Sequence, residues 1–300
     1  MNILKRHKTD LILVILCFGT LLYFNLRNGR NVPAAKGFRV VASTTPAMIQ
    51  EMEYAIKNRK YLAATAWRPH WMNSKLKIRY LDDPLNVFGQ EEDICTVVRR
   101  GFGEDHPQVM KFLRQFRWEP ADLESLTWKS TVRKGEYEAN AREWIAEHPE
   151  LIGRFLDGVQ PEPGAEIRIV NNGFLNELTA GNLIKVLLEE RLKCEVVLTT
   201  TTLPIGFEAL AGGTQDVHLS VWLPRYHQQE FAAIADRVEI IGPNLHGTRL
   251  GIAVPEDIPV RSIRELGKFR AEFDGKIIGI EPGQGINRLA EEAIRRYGLE

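Results

Sequence analysis

Short apolar runs alternate with stretches of helical periodicity along most of the chain. Apolar runs of about four to eight residues are typical of buried strands, whereas apolar positions recurring every three or four residues are typical of amphipathic helices. The pattern predicts strands at 38–42, 61–66, 167–170, 195–198, 217–219, 250–254 and 277–280. It predicts helices from Thr45, through 105–148, over 176–192, around 207–211 and up to Tyr297. Alternation of this kind indicates α/β lobes, each with a mostly parallel sheet flanked by helices.

The stretch Gln160-Pro161-Glu162-Pro163-Gly164 has the composition of a linker, because two prolines and a glycine interrupt regular structure. A chain of 300 residues is long enough for two lobes, at roughly 100–200 residues for each domain. We therefore expect residues 37–158 to form one lobe, which 256–300 complete, and residues 159–255 to form the other.

The two ends of the soluble chain are predicted to lie side by side. Gly298 has the character of a helix C-cap, yet the sequence stops at Glu300, where an α/β lobe would continue with a strand. The predicted strand 38–42 supplies such a continuation. Because domain termini are often close together, a circularly permuted lobe would explain both ends. A permuted order also allows the sequence to be part of a longer natural chain.

The N-terminus has the pattern of an export signal. Basic residues precede an apolar run over 11–24, and further basic residues follow it. An apolar core of about 7–15 residues is typical of a secretory signal, whereas a membrane span usually needs about 20. The small residues Ala34 and Ala35 offer a cleavage site, but their distance from the run leaves an anchor through residues 11–26 open. We assign 1–36 to a signal peptide or membrane anchor with its linker, and expect the rest at the periplasmic or extracytoplasmic face of the membrane.

The composition excludes several classes of protein. The 39 Lys and Arg residues balance 39 Asp and Glu, and 44% of residues are hydrophobic. A nucleic-acid-binding protein usually has a basic excess, and a disordered chain has few apolar residues. Three cysteines, Cys17, Cys95 and Cys194, are too few for a disulfide framework and too widely spaced for a zinc site. We interpret Cys95 and Cys194 as buried free thiols, with a bridge between them as the alternative, and expect no metal or cofactor.

Three large aromatic residues stand where predicted strands end, namely Trp67, Phe174 and Trp222. Ligands of α/β sheets bind at the carboxyl ends of strands, and a cage of aromatic faces is a common site for a quaternary ammonium group. Together the rings predict a cage for a cation, although for any one of them a place in the core is the alternative. The remaining tryptophans, Trp71, Trp118, Trp128 and Trp144, are assigned to the core.

A glycine-rich turn after strand 277–280 supplies a candidate anion site. The sequence Glu281-Pro282-Gly283-Gln284-Gly285-Ile286 leads into the last helix, where free backbone N–H groups attract an anion. The glycine spacing is not that of a dinucleotide site, and a bare turn is the alternative. His227, five residues after Trp222, adds a candidate polar contact unless it lies on the surface. The cage and the turn together predict a site for a zwitterion.

Four stretches resemble the motifs of glycine-betaine/proline-betaine substrate-binding proteins of ABC importers. They are Trp67-Arg68-Pro69-His70-Trp71-Met72, Tyr80-Leu81-Asp82-Asp83-Pro84, Val221-Trp222-Leu223-Pro224 with His227, and Ile278-Gly279-Ile280-Glu281-Pro282-Gly283-Gln284-Gly285-Ile286. The resemblance extends over essentially all of 37–300. It implies a two-lobed periplasmic-binding-protein fold of type II, and delivery of a compatible solute to an ABC permease and its ATPase in osmoprotection.

The resemblance also implies roles for individual residues. In the family, a prism of three tryptophans holds the ammonium group, and backbone amides and a histidine hold the carboxylate. By position, these roles fall on Trp67, Phe174 and Trp222 for the prism, Gly285 and Ile286 for the amides, and His227 for the histidine. Phe174 departs from the tryptophan of the family pattern, which reduces the ring area and leaves open which betaine is preferred.

Other functions remain to be distinguished. A ligand-sensing domain, or a receptor for choline, carnitine or ectoine, would use the same fold, and an anchored N-terminus fits a sensor as well as a transporter. An enzyme is disfavoured, because the sequence has no recognisable nucleophile beside a histidine and an acid, and no metal-ligand cluster. The glycine-rich turn also lacks the Lys and Ser/Thr of a nucleotide site. No residue is assigned a catalytic role.

Overall fold

The computed structural model describes residues 37–300. The signal or anchor predicted for 1–36, together with Cys17, lies outside the described residues. Within 37–300, no helix has both the length and the apolar character needed to cross a membrane.

The described chain alternates strands and helices. Its strands are β1 (Arg39–Val41), β2 (Ala64–Arg68), β3 (Ile78–Tyr80), β4 (Glu92–Arg99), β5 (Glu166–Asn171), β6 (Glu195–Thr200), β7 (Val217–Leu223), β8 (Val238–Pro255) and β9 (Lys276–Ile278). Its helices are α1 (Thr45–Asn58), α2 (Met72–Lys75), α3 (Phe102–Asp105), α4 (Pro107–Gln115), α5 (Pro120–Val132), α6 (Tyr137–Glu147), α7 (Pro149–Phe155), α8 (Leu175–Leu187), α9 (Leu203–Ala211), α10 (Gln228–Ala232) and α11 (Gly285–Arg296). A π-helical segment, Leu188–Leu192, continues α8, and a 3-10 helix spans Ile263–Phe269.

Two sheets share the long strand β8. The first has the strand order β1-β9-β2-β8, with β3 also paired to β8, and the second has the order β8-β4-β7-β5-β6. The C-terminal part of β8 pairs with β2, from Arg249 opposite Arg68 to Ala253 opposite Ala64, and its N-terminal part pairs with β4. Each sheet is the centre of one lobe, which is the two-lobed α/β architecture predicted from the sequence.

The sheets are mixed, whereas the sequence predicted mostly parallel ones. Strand β4 runs antiparallel to β7 and β8, and β8 runs antiparallel to β2 and β3. Parallel pairs are β1 with β9, β2 with β9, β5 with β6 and β5 with β7. The difference arises because β4 and the first half of β8 were not predicted. Acidic residues begin β4, and Gly242 and Pro243 interrupt β8, so neither segment shows a continuous apolar run.

Strand pairing also divides the chain differently from the boundary expected between residues 158 and 159. Strand β4 belongs to the second sheet, and helices α5 and α6 pack against α8 of the same lobe. At the other end, residues 249–255 of β8 pair within the first sheet. The Pro-Gly stretch therefore lies inside the second lobe. It is fastened there by the Glu162 carboxylate, which accepts hydrogen bonds from the N–H groups of Gln108 and Val109 at 3.0 and 3.2 Å.

The expected proximity of the two ends is confirmed for the described chain. The Phe38 N–H donates to the Leu299 carbonyl oxygen at 2.6 Å, and β1 pairs in parallel with β9 through Val40 and Ile277. A strand near the start of the described residues thus completes the lobe that contains the last helix.

The cysteines and the tryptophans assigned to the core are placed as predicted. Cys95 and Cys194 are free and buried, and burial raises the pKa of each thiol to about 11. Trp71, Trp118 and Trp144 are buried in the core, and Trp128 is partly buried against it.

A buried ionic cluster holds three strands of the second lobe together. Asp216, which precedes β7, is fully buried and accepts hydrogen bonds from Arg99 Nε at 2.7 Å and from Arg168 Nε at 2.8 Å. Burial alone would raise the pKa of Asp216, but the hydrogen bonds from Arg168 and Arg99 hold it below its ordinary value. The ionised carboxylate therefore stabilises the fold.

We expect Asp216→Asn to lower the free energy of unfolding by about 3 kcal/mol, because it removes a buried carboxylate that two partly buried guanidinium groups share. Arg99 keeps its ion pair with Asp105, whereas Arg168 loses its acidic partner. Since the pKa of Asp216 is lower in the folded than in the unfolded protein, the wild-type contribution is present at neutral pH and is lost as the pH falls through the folded-state pKa. Urea denaturation at neutral and acidic pH measures both effects. Glu208→Gln, at an exposed pair with Arg237, is the control, and an equal loss in the two variants at neutral pH would contradict the assignment.

Candidate ligand-binding site

A cavity of about 550 Å³ lies between the two lobes. The first lobe contributes the end of β2 and the turn before α11, and the second contributes the turns that follow β5, β6 and β7. All six residues predicted from the sequence line this cavity, namely Trp67, Phe174, Trp222, His227, Gly285 and Ile286. The structure thus places them at one site although they come from distant parts of the chain.

Trp67 and Trp222 occupy corresponding positions in the two lobes, near the carboxyl ends of β2 and β7. Only 8% of Trp67 and 6% of Trp222 is exposed. The Trp67 ring meets His70 edge-on at 4.9 Å between centroids, and the Trp222 ring lies 5.8 Å from that of Tyr226. Packing on neighbouring rings therefore restricts the orientation of both indoles.

Phe174 occupies the N-cap position of α8, without a side-chain hydrogen bond to the helix, and is partly buried. The turn before it is held by the side chain of Asn171, whose Oδ1 accepts hydrogen bonds from the Gly173 N–H and the Thr200 hydroxyl, both at 3.0 Å. Gly173 has a φ of +82°, a conformation that favours glycine. The hydrogen bonds of Asn171 and the conformation of Gly173 therefore fix the backbone that presents Phe174 to the cavity.

His227 is a buried, neutral hydrogen-bond donor. Only 8% of the residue is exposed, so the alternative of a surface histidine is wrong. Burial, with a smaller contribution from His218, lowers the pKa of His227 to about 3. Its Nδ1 accepts a hydrogen bond from the Trp222 N–H at 3.1 Å, which places the ring proton on Nε2.

The turn that carries Gly285 and Ile286 is held in shape by hydrogen bonds from neighbouring side chains. Asn287 bridges it, because its Oδ1 accepts from the Ile280 N–H at 3.0 Å and its Nδ2 donates to the Ile280 and Glu281 carbonyl oxygens at 3.1 Å. The Glu281 carboxylate accepts from the N–H and hydroxyl of Thr45, both at 2.9 Å. With Glu281 committed to α1, the first turn of α11 presents N–H groups that have no partner within the helix.

Tyr226 crosses from the second lobe to this turn and was not predicted as a site residue. A Cβ on Gly285 would lie 2.9 Å from Cε2 of Tyr226, so the ring rests directly on the bare glycine backbone. Burial raises the pKa of Tyr226, and the nearby Ile286 N–H offsets part of that rise. The Tyr226 N–H also donates to Glu92 Oε2 at 3.0 Å. Its position beside His227 was the only signal in the sequence.

A polar wall beside Phe174 was also missed. Asn176 and Glu177, in the first turn of α8, are both buried and line the cavity. Glu177 accepts hydrogen bonds from the backbone N–H of Asn172 at 2.5 Å and from its side-chain amide at 3.3 Å. Burial raises the pKa of Glu177 to about 7. The hydrogen bonds from Asn172 act in the opposite direction but are the smaller effect.

A larger cleft, of about 730 Å³, lies on the surface of the second lobe. Its basic side chains have partners, since Arg114 pairs with Glu239 at 3.3 Å and Lys111 donates to the Gly158 carbonyl oxygen at 2.6 Å. It is lined by a single lobe and contains none of the predicted site residues. Within 37–300, the structure has no group of three or more His, Cys, Asp or Glu side chains suited to a metal ion.

Two lobes that enclose a cavity between the ends of their strands define a substrate-binding protein of the periplasmic-binding type. The family of the substrate-binding domain of the ABC-type glycine betaine transport system matches residues 26–147 and 165–300. The chain belongs to this family.

Individual proteins are similar to this chain to different extents. The glycine betaine/carnitine transport binding protein GbuC of Listeria monocytogenes is 29% identical over 231 residues, which are 76% of each chain. The uncharacterized protein ORF1 of Chromohalobacter salexigens is 31% identical over 109 residues, 33% of this chain and 67% of that one. A phosphate-binding protein of a Streptococcus pneumoniae phosphate ABC transporter aligns with a TM-score of 0.42 at 10% identity, over 88% of this chain and 84% of that chain.

The raised pKa of Glu177 makes the stability of the protein depend on pH. Since this pKa is about 7 in the folded protein, above its ordinary value, ionisation is less favourable in the folded than in the unfolded state. We expect the free energy of unfolding of the wild type to fall relative to that of Glu177→Gln as the pH rises from about 5 to 8. Urea denaturation across this range measures the difference.

Glu265→Gln is the control, because backbone hydrogen bonds from Arg261 and Ser262 lower the pKa of this glutamate, which lies away from the cavity. Its curve should run parallel to that of the wild type over the same range. Parallel curves for Glu177→Gln as well would contradict the assignment.

Proposed function

We propose that the protein binds a zwitterionic quaternary ammonium solute of the glycine betaine type outside the cytoplasm and delivers it to an ABC import permease and its ATPase for osmoprotection. The observation that carries this proposal is the convergence of Trp67, Phe174 and Trp222 with the α11 turn on one cavity between the lobes. Membership of the family of glycine betaine substrate-binding domains supports it. The Listeria relative, a glycine betaine/carnitine transport binding protein, also supports it.

The aromatic end of the cavity suits the ammonium group. A trimethylammonium group carries its charge on a bulky, weakly hydrated surface, and the negative faces of aromatic rings attract it without requiring hydrogen bonds. In the proposed complex it lies among Trp67, Phe174 and Trp222. A desolvated contact of this kind contributes up to about 2 kcal/mol for each ring.

The other end suits the carboxylate. The N–H groups of Gly285 and Ile286 lie at the N-terminus of a helix, where the partial positive charge favours an anion. His227 Nε2–H supplies a third donor in the proposed complex. Because Tyr226 rests on the same turn, a carboxylate reaches these N–H groups only if Tyr226 turns aside or donates its own hydroxyl hydrogen.

The ligand leaves the protein unchanged in this proposal. The candidate site combines ring faces with hydrogen-bond donors, which hold a solute without activating a bond, and no residue of the site is assigned a catalytic role. Neither a cofactor nor a nucleic acid takes part. Attachment to the membrane through residues 11–26, or release after cleavage, would keep the site at the extracytoplasmic face.

We expect Trp67→Ala and Trp222→Ala each to weaken glycine betaine binding at least about tenfold, since each removes one ring from the cage. Isothermal titration calorimetry measures the change. Trp128→Phe is the control, because Trp128 packs on Trp71 and does not line the cavity. Circular dichroism verifies that the variants are folded. If either folded alanine variant bound glycine betaine with wild-type affinity, that tryptophan would not be part of the cage.

Choline should bind more weakly than glycine betaine, because it has the ammonium group but no carboxylate for the α11 turn. A thermal-shift panel of glycine betaine, proline betaine, carnitine, ectoine and choline tests this order, since a ligand that binds only the folded state raises its stability. Calorimetry then gives the affinities. A preference for choline would identify a choline receptor and contradict the proposed anion site.

A further inference from the structure

One carboxyl group on the wall of the cavity has no cationic partner. Glu177 lies in the first turn of α8, close to Phe174, and only 6% of it is exposed. Its carboxylate accepts hydrogen bonds from the backbone N–H and the side-chain amide of Asn172. Within 37–300, no lysine, arginine or histidine side chain pairs with it. Because a buried carboxylate without a counter-charge is unfavourable, a cation that enters the cavity is a partner that the fold itself does not provide.

Other charged and titratable groups surround the same cavity. They are Tyr226, His227 and Glu230 from the second lobe, and Glu281 and Arg288 from the first. The carboxylate of Glu281 is bonded to Thr45, and Arg288 donates to the Gly283 carbonyl oxygen at 3.0 Å. Neither group reaches Glu177 through a hydrogen bond.

The helices and strands packed on α8 also carry such groups. They are Glu124 on α5, Glu138 on α6, Arg168 on β5, Glu195 on β6 and His218 on β7. The first three have partners of opposite charge, in Arg68, Arg142 and Asp216. Glu195 begins β6 and therefore lies at the end of the strand opposite the cavity.

The buried neighbours of Glu177 keep their charge state between about pH 6 and pH 8.5. Burial lowers the pKa of His227 to about 3 and that of His218 to about 4, and it raises the pKa of Tyr226, so all three remain uncharged. Burial raises the pKa of Glu177 to about 7, so this carboxyl group becomes ionised within the range. A negative charge thus appears on the cavity wall as the pH rises.

This charge distinguishes a cation from a zwitterion. It attracts the ammonium group of either ligand, but it also repels the carboxylate of a zwitterion, so the two effects oppose each other there. The carboxylate of Glu177 is within electrostatic reach of the proposed anion site. Its charge contributes, less than burial does, to the raised pKa of Tyr226, whose ring rests on the α11 turn.

We propose that Glu177 is a specificity-determining residue whose charge sets the preference of the cavity between a zwitterion and a cation. When Glu177 is protonated, the cavity favours glycine betaine. When it is ionised, a quaternary ammonium ligand without a carboxylate gains affinity relative to glycine betaine. This inference rests on the proposed function, because it assumes the same cage and the same anion site.

Isothermal titration calorimetry with glycine betaine and choline, from about pH 6 to about pH 8.5, tests the inference. We expect the ratio of the glycine betaine affinity to the choline affinity to fall at least about fivefold across this range in the wild type. In Glu177→Gln, which has no charge to gain, the ratio should stay constant within about twofold. A general loss of stability would not change this ratio with pH.

Glu230→Gln is the matched control, because it makes the same substitution at another carboxyl group that lines the cavity. This variant should keep the pH dependence of the wild-type ratio. If Glu177→Gln does not fold, proton release by the wild type carries the test. Choline binding at pH 7 should release more protons than glycine betaine binding, which calorimetry in buffers of different ionisation enthalpy measures.

Three results would overturn the inference: a constant ratio in the wild type, the same fall in Glu177→Gln, or no measurable choline binding at any pH. Failure of the wild type to bind glycine betaine at any pH would instead refute the proposed function.

Discussion

Strand β8 is the element on which the rest of the structure depends. Its first part is hydrogen-bonded to β4 and its last part to β2 and β3, so a single strand belongs to the sheets of both lobes. Leu250, where the strand enters the first sheet, lines the cavity. Hydrogen bonds to neighbouring strands hold β8 on both of its edges. Strand β8 therefore gives the cavity one wall that both lobes share, and the turns after the other strands supply the remaining walls.

A solute with two opposite charges and no net charge is attracted only weakly over long distances, and the sequence has no excess of either charge. Recognition then depends on short-range contacts that are in place beforehand. Burial keeps His227 neutral, and the Trp222 N–H fixes its tautomer. Asn287 and Glu281 hold the α11 turn, so its backbone requires little rearrangement, and Tyr226 is the group that has to move or share its hydroxyl.

The sequence was informative where chemistry depends on residue type at a strand end, and less so where it depends on distant pairing. Trp67 and Trp222 follow apolar runs, and all six predicted site residues line one cavity. Strand β4 and the first half of β8 were missed because pairing with strands far along the chain, and not apolar periodicity, determines them. The predicted lobe boundary differed for the same reason. Tyr226 has no distinctive sequence pattern, since its importance arises from a contact with Gly285 of the other lobe.

The contact between Tyr226 and Gly285 has a consequence for affinity. In the structure the aromatic ring lies on the backbone that the proposed carboxylate would use, so the protein supplies its own competitor for that position. The free energy of the contact between Tyr226 and the turn is lost when the carboxylate binds, and this loss reduces the binding free energy. An unfavourable conformational equilibrium reduces the apparent affinity in the same way. Such an internal competitor also hastens dissociation, because it can reoccupy the turn as the solute leaves. For a carrier that must surrender its cargo, a moderate affinity of this kind is an advantage.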